Sequence, residues 1–494
     1  MVEVDKYTMI VGLEVHVQLL TKSKLFCRCA SRYGAPPNTL TCPVCTGNPG
    51  ALPVMNRHAY DLSVRAAIGL NCDIPTFTKW DRKNYFYPDL PKGFQTSQFD
   101  LPLSQNGYLE ITDPGGSFTD KRIGIIRAHL EEDAGKSMHD EINHLGDTRI
   151  DLNRCGTPLL EIVSAPDLRS ADEASIFLAE LKLLLSYLEV SDCNMQEGSL
   201  RVDANVNLHI TCSDGIKATP IVEVKNMNSF RAVTRALDYE SERQFENWKD
   251  NGRCLGDPGV TKETRGWDDA AGITRSQRSK EESSDYRYFP EPDLPPVVIS
   301  EEEIARHKSG LARSPSQWRS RLISEYSLTP YDAAVLVNQG KRLVTYFEEV
   351  AQRVGDAKLT SNWLQQDVMR YLGENSIDIS MYPVTASSFA QLLRTIQDGS
   401  LSTSRAREVL ACMLESDQSV DESMAQLGIV EVSSDETEAI CRELLESNSQ
   451  VVADLKGGKL KAVGAIIGKA KQKNPNIQPQ QVREICLRLV ETMP

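Results

Sequence analysis

Residues 9–19, MIVGLEVHVQL, alternate strictly between apolar and polar or small side chains, a pattern that a β-strand turns into two distinct faces. Met9, Val11, Leu13, Val15, Val17 and Leu19 share one side; Gly12, Glu14, His16 and Gln18 share the other. Same-face neighbours on a strand lie about 6.8 Å apart, so Glu14 and His16 reach one small cation or phosphate oxygen together. Taken alone, the stretch also reads as an antiparallel strand with a solvated face. The pattern recurs, however: Arg201, Asp203, Asn205, Asn207 and His209 alternate with Val202, Ala204, Val206, Leu208 and Ile210, and Glu223 and Lys225 repeat it in IVEVK. Several strands with polar, partly acidic faces predict an antiparallel sheet lining a wet cleft.

Two further stretches place carboxylates in apolar company. In IGIIRAHLEED, residues 123–133, Gly124, Ile126, Ala128 and Leu130 fall on one side and Ile125, Arg127 and His129 on the other. That register puts Glu132 on the apolar side, where it needs a cation unless the strand has already ended. Glu161 sits inside TPLLEIV. A carboxylate there is neutralised by a raised pKa, by an arginine or by a metal, and Arg154 is the local arginine.

Cys27-x-Cys29 and Cys42-x-x-Cys45 have the spacing of a structural zinc knuckle. Four protein sulfurs leave no open position for water, so catalytic zinc is not expected. Residues 81–100 mix the cations Arg82, Lys83 and Lys92 with Tyr85, Phe86, Tyr87 and Phe94. Such a mixture suits phosphate plus a stacked base, in a nucleotide or a single-stranded RNA end; a surface loop with snorkelling side chains is the other reading.

At 494 residues the chain has room for two or three domains. Its net charge of −14 excludes a generally basic nucleic-acid binder, so any RNA contact must be patchwise. No apolar run approaches a membrane span, and the opening MVEVDKYTM lacks the pattern of a signal peptide. A cytoplasmic location is therefore expected, with the twelve cysteines free or metal-bound. Helical stretches at 171–187 and 229–248 make the class α+β. PEPDLPP, residues 290–296, reads as a linker, after which helical periodicity takes over at 304–322 and 331–354. The last hundred residues read as a small helical module, acidic at Glu415, Asp417, Asp421, Glu422, Asp435, Glu436 and Glu438. A basic run follows at Lys456, Lys459, Lys461, Lys469, Lys471 and Lys473. That run reads either as a track for a phosphate backbone or as a solvated helix face. Neither a P-loop nor a dinucleotide fingerprint is present, and no amidase serine motif or convincing nucleophilic cysteine is seen. If the chemistry needs ammonia from an amide, another chain must release it.

The opening strand, CRC, CPVCTGNPGALPVMN, DRKNYFYPDLPKGFQTSQFD, HLEEDAGKS, DLNRCGTPLLEIVSAPD and YRYFPEPDLPP together resemble the B subunits of aspartyl/glutamyl-tRNA amidotransferases, the GatB family. The likeness covers the first 296 residues in order and continues more weakly through the helical remainder. It implies a glutamine-synthetase-like cradle with a zinc knuckle over 1–295, a helical domain over 296–408 and a YqeY-like tRNA-binding tail over 409–494. It further implies an ATP-dependent carbon–nitrogen ligase with glutamine as amido donor: Glu-tRNA(Gln) or Asp-tRNA(Asn) is phosphorylated on its side-chain carboxylate, and ammonia from a partner amidase displaces the phosphate. The implied magnesium ligands and catalytic residues are Glu14, His16, Glu132 and Glu161. Lys83, Tyr85, Lys92 and Asp203 are expected at the ATP or acylated end, and Lys459, Lys461, Lys469 and Lys471 on tRNA. Expected partners are the amidase (A) and small (C) subunits of the same complex, misacylated tRNA and the cognate aminoacyl-tRNA synthetase, in the cytoplasm or an organelle and without a membrane. On this reading Glu132→Ala abolishes ATP turnover that depends on misacylated tRNA. The alternative is a non-catalytic, zinc-containing tRNA-binding scaffold.

Overall fold

The structure is a computed structural model that describes the chain apart from residues 1–6, 114, 115, 117, 140–147, 278–285, 417, 430–433, 475, 493 and 494. Most of the opening on which the absence of a signal peptide was read thus lies outside the described residues. The chain divides into two compact units, residues 1–318 and 319–494. The first is α+β and the second is helical.

A nine-stranded sheet organises the first unit. Its strands run in the order Ile273–Ser276, Glu263–Asp268, Val222–Lys225, Leu200–Cys212, Tyr7–Gln18, Pro158–Ser164, Lys121–Glu132 and Ser104–Ile111, with Gly215–Ala218 also on Leu200–Cys212. All pairings are antiparallel except that between Val222–Lys225 and Glu263–Asp268. The opening strand is thus central, and its alternation is realised: Val11, Leu13, Val15 and Val17 are fully buried, while Gly12, Glu14, His16 and Gln18 are half-buried on the other face. Helices Arg57–Gly69, Ala171–Tyr187 and Phe230–Asn251 cover the apolar side. Each fully buried Val or Leu contributes roughly 1.5–3 kcal/mol, so this one face secures the register. Ser170 and Ser229 cap the two longer helices by accepting from the amides of Glu173 and Ala232, and Gly252, at φ +62, closes the second.

The Lys121–Glu132 strand carries a bulge between Ile125 and Arg127, leaving Ile126 half exposed. The extra residue resets the alternation. Ile123 and Ile125 enter the core before it, and Ala128 and Leu130 after it. Arg127, His129 and Glu131 therefore share the polar face. No free linker follows at 290–296: Phe289–Pro290 pairs with residues 81–82, Val297–Val298 pairs with Phe77–Thr78, and buried Glu291 receives both arms of Arg82. A bidentate buried pair holds the proline-rich segment down.

The helical periodicity at 304–322 resolves into Glu301–Ser309 and Pro315–Ser324, and that at 331–354 into Pro330–Asn338 and Lys341–Val354. Proline opens Pro315–Ser324, and Gly340 at φ +102 separates the later pair. In the second unit a separate small core gathers Cys441, Leu445, Ile466, Ala470, Val482 and Cys486 from helices Ser434–Glu446, Val463–Lys473 and Pro479–Thr492. Among the described residues no helix is long and apolar enough to cross a membrane.

Candidate functional site

On the polar face, cross-strand register puts His16 beside Glu161 on one side and Arg201 on the other, Glu14 beside Asp203, and His129 beside Glu161. These groups converge. His16 Nε2 lies 3.5 Å from Glu14 Oε1, 3.4 Å from Glu161 Oε2 and 3.7 Å from Glu131 Oε1. His129 Nε2 lies 3.6 Å from Glu161 Oε2 and 4.0 Å from Glu131 Oε2. Ligand atoms of Glu14, His16 and Glu161, and those of His129, Glu131 and Glu161, fall within 4.8 Å of one another, close enough to share a cation. The buried Nδ1 of His129 has no hydrogen-bond partner.

The structure gathers Glu14, His16 and Glu161 but seats Glu132 elsewhere. Its carboxylate accepts from Lys92 Nζ and, at 2.9 Å, from the Thr96 amide, below the face that carries Glu131. Adjacent residues of a strand point oppositely, so one of two neighbouring glutamates must leave the cluster. The cation required for Glu132 is Lys92. Nor does Arg154 serve Glu161: its Nε lies 3.3 Å from Asp133 Oδ2, which also receives Arg201 at 2.6 Å and Gln18 at 3.1 Å. Glu161 is balanced by His16 and Lys83 instead.

A three-stranded sheet containing Asp81–Asn84 and Phe94–Ser97 packs against the end of the Lys121–Glu132 strand. It contributes Ser97, whose Oγ donates to Glu131 Oε2 at 3.3 Å, and Lys83, whose ammonium lies 5.1 Å from the Tyr286 ring centre. Tyr85 donates to Gln95 Oε1 at 3.0 Å and meets Tyr286 edge-on. Tyr288 stacks on half-exposed Phe99 with ring centres 4.1 Å apart, so an aromatic wall runs outward from the carboxylates. Asp203, across from Glu14, accepts from Lys225 Nζ at 2.6 Å.

Charge is unevenly shared in this cluster. Burial alone would lower the pKa of His16, but its hydrogen bond to Glu161 and the charges of Glu161, Glu131 and Glu14 raise it to about 9. Burial lowers His129 to about 4, helped by Arg127 and Lys83. Burial and the Glu161 charge push Glu131 up to about 7 and also raise Glu14. Glu161 goes the other way: burial opposes its ionisation, but His129, His16 and Lys83 hold its carboxyl well below the usual range. Lys83 is held protonated by Glu131 and Glu161 against the cost of burial. The face therefore stores one firm anion, two reluctant ones and a shared proton.

The four cysteines also converge, with sulfurs within 4.8 Å of one another and Cys42 and Cys45 at 3.9 Å. Tetrahedral zinc with Zn–S near 2.3 Å requires about 3.8 Å between sulfurs, so the donor set fits that ion. Gly47 closes the knuckle at φ +74, where a Cβ would stand 2.6 Å from Lys92 Cγ. Beside the four cysteines lies a cavity of about 210 Å³ lined by Cys27, Cys45, Arg82, Lys92, Glu132 and Glu291. In the second unit Lys459, Lys461 and Lys469 are exposed and Lys471 is half-buried; Lys459 pairs with Asp454, and Lys469 donates to Asn448.

Residues 9–305 match the family model described as the GatB/GatE catalytic domain, and residues 345–489 match that described as the GatB domain. Curated relatives include the B subunit of the aspartyl/glutamyl-tRNA(Asn/Gln) amidotransferase of Rhodopirellula baltica, 57% identical over 98% of this chain and 97% of the relative. The protein of the same name from Geobacter sp. strain M21 is 44% identical over 98% and 100%. That from Caldanaerobacter subterraneus is 43% identical over 97% and 99%.

Proposed function

The chain belongs to the GatB family, and from that membership we propose that it is the tRNA-dependent amidotransferase subunit that forms Gln-tRNA(Gln) or Asn-tRNA(Asn) from misacylated tRNAs. The single observation that supports the chemistry best is the convergence of Glu14, His16, Glu131 and Glu161 on one face beside Lys83. A carboxylate does not surrender oxide to ammonia, so phosphorylation by ATP supplies the leaving group. Two anions must then approach. Magnesium bound at the carboxylates would screen them and orient phosphate. Glu14, His16, Glu161 and Glu131 would hold it, His129 standing behind; Glu132, counted a ligand by family likeness, is proposed instead to hold Lys92 at the neighbouring cavity. Lys83 faces the incoming phosphate, while Tyr85 and Asp203 fix the walls.

The sheet is read as a glutamine-synthetase-like cradle and the cysteines as a structural zinc site. The functional division is 1–295, 296–408 and 409–494. One subunit of a complex implies others: an amidase (A) to release ammonia from glutamine and a small third chain (C). Misacylated tRNA and the cognate synthetase complete the partners, in the cytoplasm or an organelle. Reconstitution with those partners tests the reading through phosphate release against each misacylated tRNA. Release with free glutamate in place of acylated tRNA, or no dependence on tRNA, overturns it; tRNA binding with no turnover favours the scaffold alternative.

Two results are expected at the level of binding. His16 at about 9 and Glu131 at about 7 must give up protons to a metal, so magnesium binds at least tenfold more tightly at pH 8.5 than at pH 6.5 in calorimetric titration. The sign for the metal-free fold is opposite at His16: its raised pKa stabilises fully below about 6.5, and that contribution is lost as pH rises through about 9. Deleting the chain after Ser400 removes Lys459, Lys461, Lys469 and Lys471. Affinity for tRNA is then expected to fall and its dependence on salt to flatten, by close to one unit of slope per lost phosphate contact. An unchanged slope would remove the tail from the RNA interface.

A further inference from the structure

We propose that Lys24 is the buried counter-cation of the four-cysteine cluster, the charge that lets Cys27, Cys29, Cys42 and Cys45 hold zinc as four thiolates. The inference rests on the zinc reading above. Lys24 is completely buried. Its Nζ donates to the Leu40 carbonyl at 2.7 Å and to Cys45 Sγ at 3.6 Å, and among the described residues it forms no ion pair with a carboxylate. Glu132 borders the same space: a Cβ on Gly156 would stand 3.6 Å from Lys24 Cδ and 3.7 Å from Glu132 Oε2. Glu132, however, is already committed to Lys92 and the Thr96 amide.

A buried ammonium is costly without an opposite charge. Sulfur supplies it only as thiolate. Four thiolates around one zinc carry a net charge of about −2, and one enclosed ammonium halves it. The second donor contact has its own consequence, because Leu40 lies on the loop between the two cysteine pairs. One ammonium thus neutralises the cluster and ties down the loop that brings Cys42 and Cys45 to Cys27 and Cys29. Lys24 is a positioning residue for the metal and does not ligate it.

The test uses the full-length chain, with zinc content after dialysis and the rate of zinc release to EDTA as readouts. Wild type is expected to retain about one zinc per chain. Lys24→Met, which keeps length and removes charge, is expected to release zinc about tenfold faster or more, in the range lost with other outer-shell partners of metal ligands. The decisive variant is Lys24→Met combined with Cys29→His. Histidine is a neutral ligand and takes one negative charge out of the cluster, so slow release should return. Recovery in the double variant supports charge compensation even if Lys24→Met alone is poorly soluble. Wild-type release from Lys24→Met, or equally fast release from single and double variants, overturns the inference. A wild-type chain without zinc overturns the zinc reading itself, which separates the two failures.

Discussion

Glu131→Gln is expected to lower ATP cleavage dependent on misacylated tRNA by about a thousandfold while leaving thermal stability intact or slightly raised. Glutamine reproduces the neutral form that burial and Glu161 already favour, since the Glu131 carboxyl is pushed up to about 7. Folding therefore loses little. Metal and substrate, in contrast, lose an anion 3.7 Å from His16 Nε2. The neighbouring substitution should behave in the reverse manner. Glu132→Ala strips Lys92 and the Thr96 amide of their acceptor, and removing one partner of a buried pair costs about 3–5 kcal/mol. The milder Glu132→Gln keeps an acceptor and should retain turnover to within about tenfold. Steady-state phosphate release and a melting curve on both variants decide the matter. An inactive Glu132→Gln beside an active Glu131→Gln would return the metal role to Glu132.

That crossed outcome turns on a single step of strand register, which also marks how far the sequence could be read. Alternation at residues 9–19 and 201–210 gave both faces correctly because one side had to be buried under three helices, and a slip would have exposed it. The pattern singled out Glu132 as a carboxylate on the apolar side and family likeness chose the same residue, whereas the polar face, carried two residues past His129, reaches Glu131. The bulge at Ile126 left no mark in the local sequence, because its cause is the pairing of the 121–132 strand with Pro158–Ser164. Sequence proximity misled at Arg154. The turn through Gly156, at φ +81, precedes the strand of Glu161, and the guanidinium goes to Asp133 instead. The cysteine pairs were legible because ligand spacing is local chemistry. His129 and the Phe99–Tyr288 stack were not picked out as site features: one reads as an ordinary strand residue, and the other joins side chains 189 positions apart.

Lys83→Met should separate metal binding from chemistry with opposite signs. The Lys83 ammonium is enclosed near Glu131 and Glu161 and held protonated by them. Two cations on one set of carboxylates compete, so removing the fixed one is expected to tighten magnesium binding several-fold at pH 8. Turnover should nevertheless fall by about a hundredfold, because the transferring phosphate loses a donor positioned before the reaction begins. The metal would not replace it: Glu14, His16, Glu131 and Glu161 would hold magnesium, whereas Lys83 stands on the small sheet that carries Ser97 and leans on Tyr286. Lys83→Arg keeps the charge but spreads it over a wider fork beside the Tyr286 ring, so it should restore magnesium affinity to the wild-type value and recover turnover only in part. Calorimetry for magnesium and single-turnover phosphate release on the three proteins provide the two readouts. If both fall together in Lys83→Met and return together in Lys83→Arg, the lysine supports the architecture of the cradle and has no separate part in phosphoryl transfer.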